Sequence, residues 1–114
     1  MRKTSLKKYE TTPEDVGMFF RQLYQGGVVN KENQDEILRF LSKTAFEEWM
    51  PAGLANDIRV AHKIGKDIGT FSDAGIIFAQ KPFVLVIMSK NAKEKEAQEI
   101  LPKITKAVWE FENK

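Results

Sequence analysis

The stretch Asp57-Ile58-Arg59-Val60-Ala61-His62-Lys63-Ile64-Gly65 constrains this chain more than any other. Side chains alternate along it, and a period of two belongs to a strand. Ile58, Val60, His62 and Ile64 fall on one face, and Arg59, Ala61, Lys63 and Gly65 on the other. A strand with an apolar face must be paired and covered, so the rest of the chain has to supply neighbouring strands and packing helices. With 114 residues, the chain suits one small domain. Such a chain can bury a little under ~70% of its unfolded surface, enough for a real but modest core.

Two further strands follow. Lys66 to Phe71, containing Gly69, reads as a turn or loop, and Gly75-Ile76-Ile77-Phe78-Ala79 as the second strand. Gln80-Lys81-Pro82 turns the chain. Phe83-Val84-Leu85-Val86-Ile87-Met88 is the third strand, and its unbroken apolar run predicts a central strand covered on both faces. The short connections make the three an antiparallel meander.

Helices flank these strands. Thr12 can cap a helix that starts at Pro13, with Glu14 and Asp15 at the positive end of its dipole. Val16, Phe19, Phe20, Leu23 and Tyr24 follow at helical spacing, a stripe that reads as core rather than as a ligand box, and Gly26-Gly27 stops the helix. Asn30 caps a second helix through about Lys43, with Ile37, Leu38 and Leu41 apolar and Phe40 beside them. The short link predicts an antiparallel helical pair. Ala45 to Met50 adds a further turn anchored by Phe46, Trp49 and Met50, before Pro51-Ala52-Gly53 breaks the pattern. In the last helix Ala97, Ile100, Leu101, Ile104, Val108 and Phe111 form one stripe. Pro102 lies inside it and predicts a kink or break. Trp109 lies off the stripe, as a contact surface or a covered aromatic.

The expected class is therefore α+β: two N-terminal helices, a three-stranded antiparallel meander and a C-terminal helix packed on the sheet. Residues 1–114 form a single partial domain, with a basic tail at 1–10, a helical part at 12–50, strands at 57–89 and a closing helix at 93–112.

A net charge of +2 gives no argument for nucleic acid, and no apolar run approaches the ~20 residues of a membrane span. The basic start, Met1 to Lys8, has no apolar segment behind it and does not read as a signal peptide. Without cysteine there is no thiolate chemistry and no disulfide. His62 is the only histidine, so no histidine metal cluster and no Ser-His pair is specified, and it reads as a partly buried strand residue. Asp67, Asp73 and Glu96 show no spacing for paired acid–base work or a metal. No cofactor is implied.

Several stretches resemble the C-terminal part of a penicillin-recognising serine hydrolase of the class A β-lactamase type. Thr11-Thr12-Pro13-Glu14-Asp15 with Leu23-Tyr24-Gln25-Gly26 resembles the helix after that family's omega loop. Leu54 through Gly65, ending in His62-Lys63-Ile64-Gly65, resembles the strand bearing the K-T-G motif. Asp73 to Phe78 and Pro82 to Ser89 resemble the next two strands, and Glu96 to Phe111 the closing helix. The resemblance implies that Lys63 supplies positive charge for a substrate carboxylate, that Gly65 completes the motif beside the substrate, and that the Lys66 amide is an oxyanion-hole donor. Two departures stand out. Ile64 replaces the usual Thr or Ser, and Ala74 stands near where many members place a carboxylate-binding arginine, so the resemblance does not extend to efficient β-lactam turnover.

The family's S-x-x-K and S-D-N elements lie upstream of the matched region. Ser5-Leu6-Lys7-Lys8 fits S-x-x-K by letter, but in a basic tail Lys8 would be solvated, protonated and a poor base. The resemblance thus implies a C-terminal fragment that supplies the Lys63-Ile64-Gly65 strand for β-lactam or D-Ala-D-Ala acyl transfer, lacks the nucleophile and is inactive alone. The alternative is a non-catalytic binding or self-associating module on a remnant of the same fold. The implied partners are a β-lactam or peptidoglycan-peptide-like ligand, and either another copy or a complementary N-terminal half. An extracellular or cell-envelope location is implied by resemblance alone.

Overall fold

The structure is a computed structural model that describes residues 11–43 and 48–114. Two helices, α1 (Pro13–Gln25) and α2 (Lys31–Ser42), precede a 3-10 turn at Pro51–Gly53. Strands β1 (Val60–Asp67), β2 (Thr70–Ile77) and β3 (Phe83–Ser89) follow, and α3 (Glu94–Glu112) closes the chain. The α+β class, the helix–strand order and the antiparallel meander are as the patterning implies. The tail at 1–10, with Ser5 and Lys8, and the Phe46 anchor lie outside the described residues.

The caps follow the sequence signals. Thr12 accepts a hydrogen bond from the Asp15 amide at 3.2 Å, and Asn30 accepts one from the Asn33 amide at 2.8 Å. Each satisfies a donor that the first helical turn leaves without an intrahelical partner.

The sheet differs from expectation in two ways. Lys66 to Phe71 is not a loop. β1 runs on to Asp67, β2 already begins at Thr70, and Asp67 pairs with Thr70 across Ile68-Gly69. Gly69 has φ +71°, a conformation glycine reaches without the Cβ penalty, so two residues suffice for the reversal. Second, among the described residues β3 is an edge strand rather than the central one. The order is β1-β2-β3, because two successive hairpins place the middle strand in the middle. Every residue of β3 is only half-buried, and among the described residues no strand pairs with its outer edge.

The two faces of the sheet carry separate cores. Ala61, Ala74 and Ile76 pack against Phe20 and Leu23 of α1 and Leu38 of α2. The fully buried Leu23 contributes about 1.5–3 kcal/mol by leaving water. On the opposite face Trp49, edge-on to Phe71 at 5.9 Å, packs with Ala97 and Leu101 of α3. Met50, Val60 and Ile77 form a further cluster with Phe83 and Trp109 at its margin.

α3 is rotated from its expected setting. Its buried positions are Ala97, Leu101 and Thr105, whereas Ile100, Ile104 and Phe111 are exposed. The Thr105 hydroxyl donates to the Leu101 carbonyl at 2.9 Å, so a polar residue takes a core position without an unmet hydrogen bond. Trp109 is a covered aromatic, its ring centroid 6.4 Å from that of Phe83. Pro102 does not break the helix; it lies where the 3-10 turn meets α3, and a Cβ built on Gly53 would come within 2.2 Å of the Pro102 carbonyl oxygen. On α1 and α2, Phe19, Tyr24 and Phe40 are also exposed rather than core.

Candidate functional site

β1 presents three groups at its open edge. Lys63 shares a face with Ala61 and points toward the helical side, but beyond the part of the sheet the helices cover, so it is exposed. Its Nζ donates to the Ile64 carbonyl at 3.2 Å, which draws the ammonium over the strand's outer edge. The Phe78 amide donates to the Arg59 carbonyl at 2.9 Å, placing residue 59 in a hydrogen-bonded pair with β2. Pairing alternates along an antiparallel ladder, so Ile64 and Lys66 turn their amides and carbonyls away from β2, toward the outer edge. Gly65 lies between them, opposite Ser72, whose Oγ would stand 2.5 Å from a Cβ at that position. Lys66 pairs through its side chain with Glu94 at the start of α3. An ammonium and a backbone donor thus face the same open margin, with no bulky side chain between.

Ile64 points to the other face, where it packs beside Trp49, Phe71 and Leu101. The position with no hydroxyl is therefore a packing position. Ala74 lies directly across from Lys63 and is buried under the helices.

Two residues that the sequence leaves unremarkable form the most polar feature of the interior. His62 Nδ1 and Asp73 Oδ1 lie 2.7 Å apart, with 3% and 0% of each residue exposed. The other carboxylate oxygen accepts from the Met50 amide at 2.9 Å. One carboxylate thus ties together β1, β2 and the segment entering the 3-10 turn. Gly75 makes this possible. It stands directly opposite His62, and a Cβ there would lie 2.1 Å from the Ala61 carbonyl oxygen and 2.7 Å from His62 Cβ. Free of that atom, the imidazole leans diagonally across to Asp73, which is in register with Ile64. The signal was present in sequence as a polar residue on each apolar face, His62 between Val60 and Ile64 and Asp73 between Phe71 and Gly75. Only the register joins them.

Asp67 and Glu96 have local tasks. Asp67 accepts from the Ile68 amide at 2.7 Å in the turn, and Glu96 accepts from the Lys93 amide at 2.8 Å at the start of α3. A groove of about 690 Å³ lies between α1 and β3, and a polar hollow of about 540 Å³ lies beside His62, Arg59 and Ser42. Neither is lined by Lys63, Gly65 or Lys66.

Among the described residues no helix is long and apolar enough to cross a membrane. Comparison with known proteins identifies the family to which this fold belongs. Residues 1–111 match the model of the beta-lactamase enzyme family, and the chain belongs to that family. The structure of PBP-A superimposes with a TM-score of 0.81 at 26% identity, over 91% of this chain and 41% of that one. A mutant of PBP-A solved as an acyl-enzyme complex with penicillin G gives 0.80 at 27% identity, over the same shares. A class A beta-lactamase from Mycobacterium abscessus gives 0.79 at 17% identity, over 89% of this chain and 41% of that one. No curated protein sequence matches. The chain thus spans about two fifths of the length of these relatives.

Proposed function

We propose that this chain supplies the lysine–glycine strand of a penicillin-recognising serine hydrolase for acyl transfer from a β-lactam or a D-Ala-D-Ala-type peptide. In this reading Lys63 draws the substrate carboxylate, Gly65 leaves room for the substrate along the strand, and the Lys66 amide meets the oxyanion that develops in the transition state. The attacking serine comes from a complementary N-terminal part, and the chain is inactive without it. The observation that carries this is the shared margin of β1, where the Lys63 ammonium and the outward Lys66 amide stand on one edge. The lack of a hydroxyl at Ile64 points to slow turnover or to the peptide as substrate. An extracellular or envelope setting accords with such a substrate.

The test is intact-mass spectrometry after incubation with penicillin G, with and without the N-terminal portion of PBP-A that this chain does not cover. Alone, the chain should show no acyl adduct; an adduct at Ser5 would overturn the assignment. In a co-purified complex, an adduct should form on the added portion and be lost with Lys63→Ala but kept with Lys81→Ala. A stable complex that acylates equally with Lys63→Ala would refute the role of Lys63.

Among the described residues no strand pairs with the outer edge of β3, and this favours a second reading, a self-associating module that keeps the fold without the chemistry. Concentration-dependent association in the absence of any penicillin reactivity would support it.

A further inference from the structure

We propose that Ser72 on β2 is a second donor for the substrate carboxylate, working beside Lys63 on the helical face of the sheet. This rests on the acyl-transfer reading and adds to it a residue that selects which ligands are held.

A carboxylate has about four acceptor sites on its two oxygens, and one ammonium does not fill them. Further charge-assisted hydrogen bonds are what hold such a group in one orientation. The adjoining side chains of β1 offer none. Ile64 is apolar and packs on the opposite face beside Trp49 and Phe71, and Gly65 has no side chain. Lys66 turns its ammonium to Glu94. A second donor has to come from the neighbouring strand.

The register brings one there. Gly65 stands directly across from Ser72, and Lys63 directly across from Ala74. Residues opposite each other share a face, so Lys63, Gly65, Ser72 and Ala74 lie together on the helical side of the sheet. The Ser72 hydroxyl leans onto β1. Its Oγ would stand 2.5 Å from a Cβ on Gly65, whereas Ser72 Cβ would stand 3.9 Å away. The oxygen thus occupies the space that a side chain at position 65 would fill, and glycine leaves that space to it. Ser72 is the diagonal neighbour of Lys63, a separation that a long side chain spans. Ala74, across from Lys63 on the same face, adds only a methyl group, so nothing bulky parts the ammonium from the hydroxyl. Asp67, the acid at the end of β1 on this face, is turned into the hairpin, where it accepts from the Ile68 amide at 2.7 Å. The face therefore offers an anion one fixed cation and one neutral donor, set side by side by the pairing of β1 with β2.

Penicillin G supplied over a range of concentrations to the complex with the N-terminal portion of PBP-A separates binding from chemistry. Ser72→Ala should raise the half-saturating concentration about tenfold or more, the loss of a hydrogen bond to a charged group, with little change in the limiting acylation rate. Ser72→Thr keeps the hydroxyl and should stay close to the wild type. With the methyl ester of penicillin G, whose carboxylate is masked, Ser72→Ala and the wild type should not differ; a merely structural serine would move both ligands alike. Equal half-saturation by penicillin G in Ser72→Ala and the wild type would overturn the assignment and leave acyl transfer standing. If the wild-type complex takes no acyl group, the acyl-transfer reading falls, and the chain alone decides on Ser72. Penicillin G added to the isotope-labelled chain should then shift the nuclear magnetic resonances of the Gly65 and Lys66 amides, and Ser72→Ala should weaken that titration about tenfold. No shift, or one that Ser72→Ala leaves unchanged, would overturn the assignment.

Discussion

Replacing Asp73 tests whether the buried carboxylate braces the sheet. It is fully buried, lies 2.7 Å from His62 Nδ1 and accepts from the Met50 amide at 2.9 Å. Hydrogen bonds to a charged group contribute about 1.5–3 kcal/mol each, and breaking a buried pair from one side costs about 3–5 kcal/mol. Asp73→Ala should therefore lower stability by about 3–5 kcal/mol, a large part of what a domain of this size has. Asp73→Asn is close to the same shape. Its carbonyl can still accept from Met50 while its amide donates to a His62 tautomer with a bare Nδ1, so only charge assistance is lost and the cost should be about 1–2 kcal/mol. Urea unfolding followed by far-UV circular dichroism measures both, with the slope checked against wild type. Protein concentration must be fixed, since association would shift the midpoint. A His62→Ala, Asp73→Ala cycle should give a coupling of about 1–3 kcal/mol. An Asp73→Ala loss below about 1 kcal/mol, or additive single losses, would refute the brace.

Three other substitutions extend the argument. Gly75→Ala should prevent native folding, because its Cβ would meet backbone atoms of Ala61 and His62 from which neither strand can withdraw; loss of near-UV dichroism would show it. Gln34 is buried and donates to the Leu23 and Tyr24 carbonyls at 2.7 and 2.9 Å at the end of α1, so Gln34→Ala should cost about 1–3 kcal/mol in the same urea assay. The hydrogen bond and charge of Arg39 hold the Glu36 carboxyl below its usual range. A depressed folded value stabilises above the unfolded value and is lost as pH falls through the folded one. Glu36→Gln should therefore lose a little stability at neutral pH, and the two proteins should converge in acid; a gap that widened on acidification would contradict the sign.

Much of this protein was written locally. Thr12, Pro13 and Asn30 set the helix starts because capping is settled within one turn, and the alternation from Ile58 to Ile64 set the faces of β1 because side chains on a strand must alternate. What the sequence could not decide was everything that depends on who stands beside whom. The apolar run of β3 suggested a central strand, but hydrophobicity does not set the order of strands in a sheet, and among the described residues β2 is the middle one. The stripe on α3 placed Ala97 and Leu101 in the core as found, yet the sheet also took Thr105 and Trp109 and left Ile100, Ile104 and Phe111 exposed, because a helix is rotated by the surface it meets. His62 and Asp73 became a pair only through the register of two strands joined by a two-residue turn. Local chemistry fixes elements and faces; register and rotation are properties of contacts between elements, and those exist only once the chain has folded.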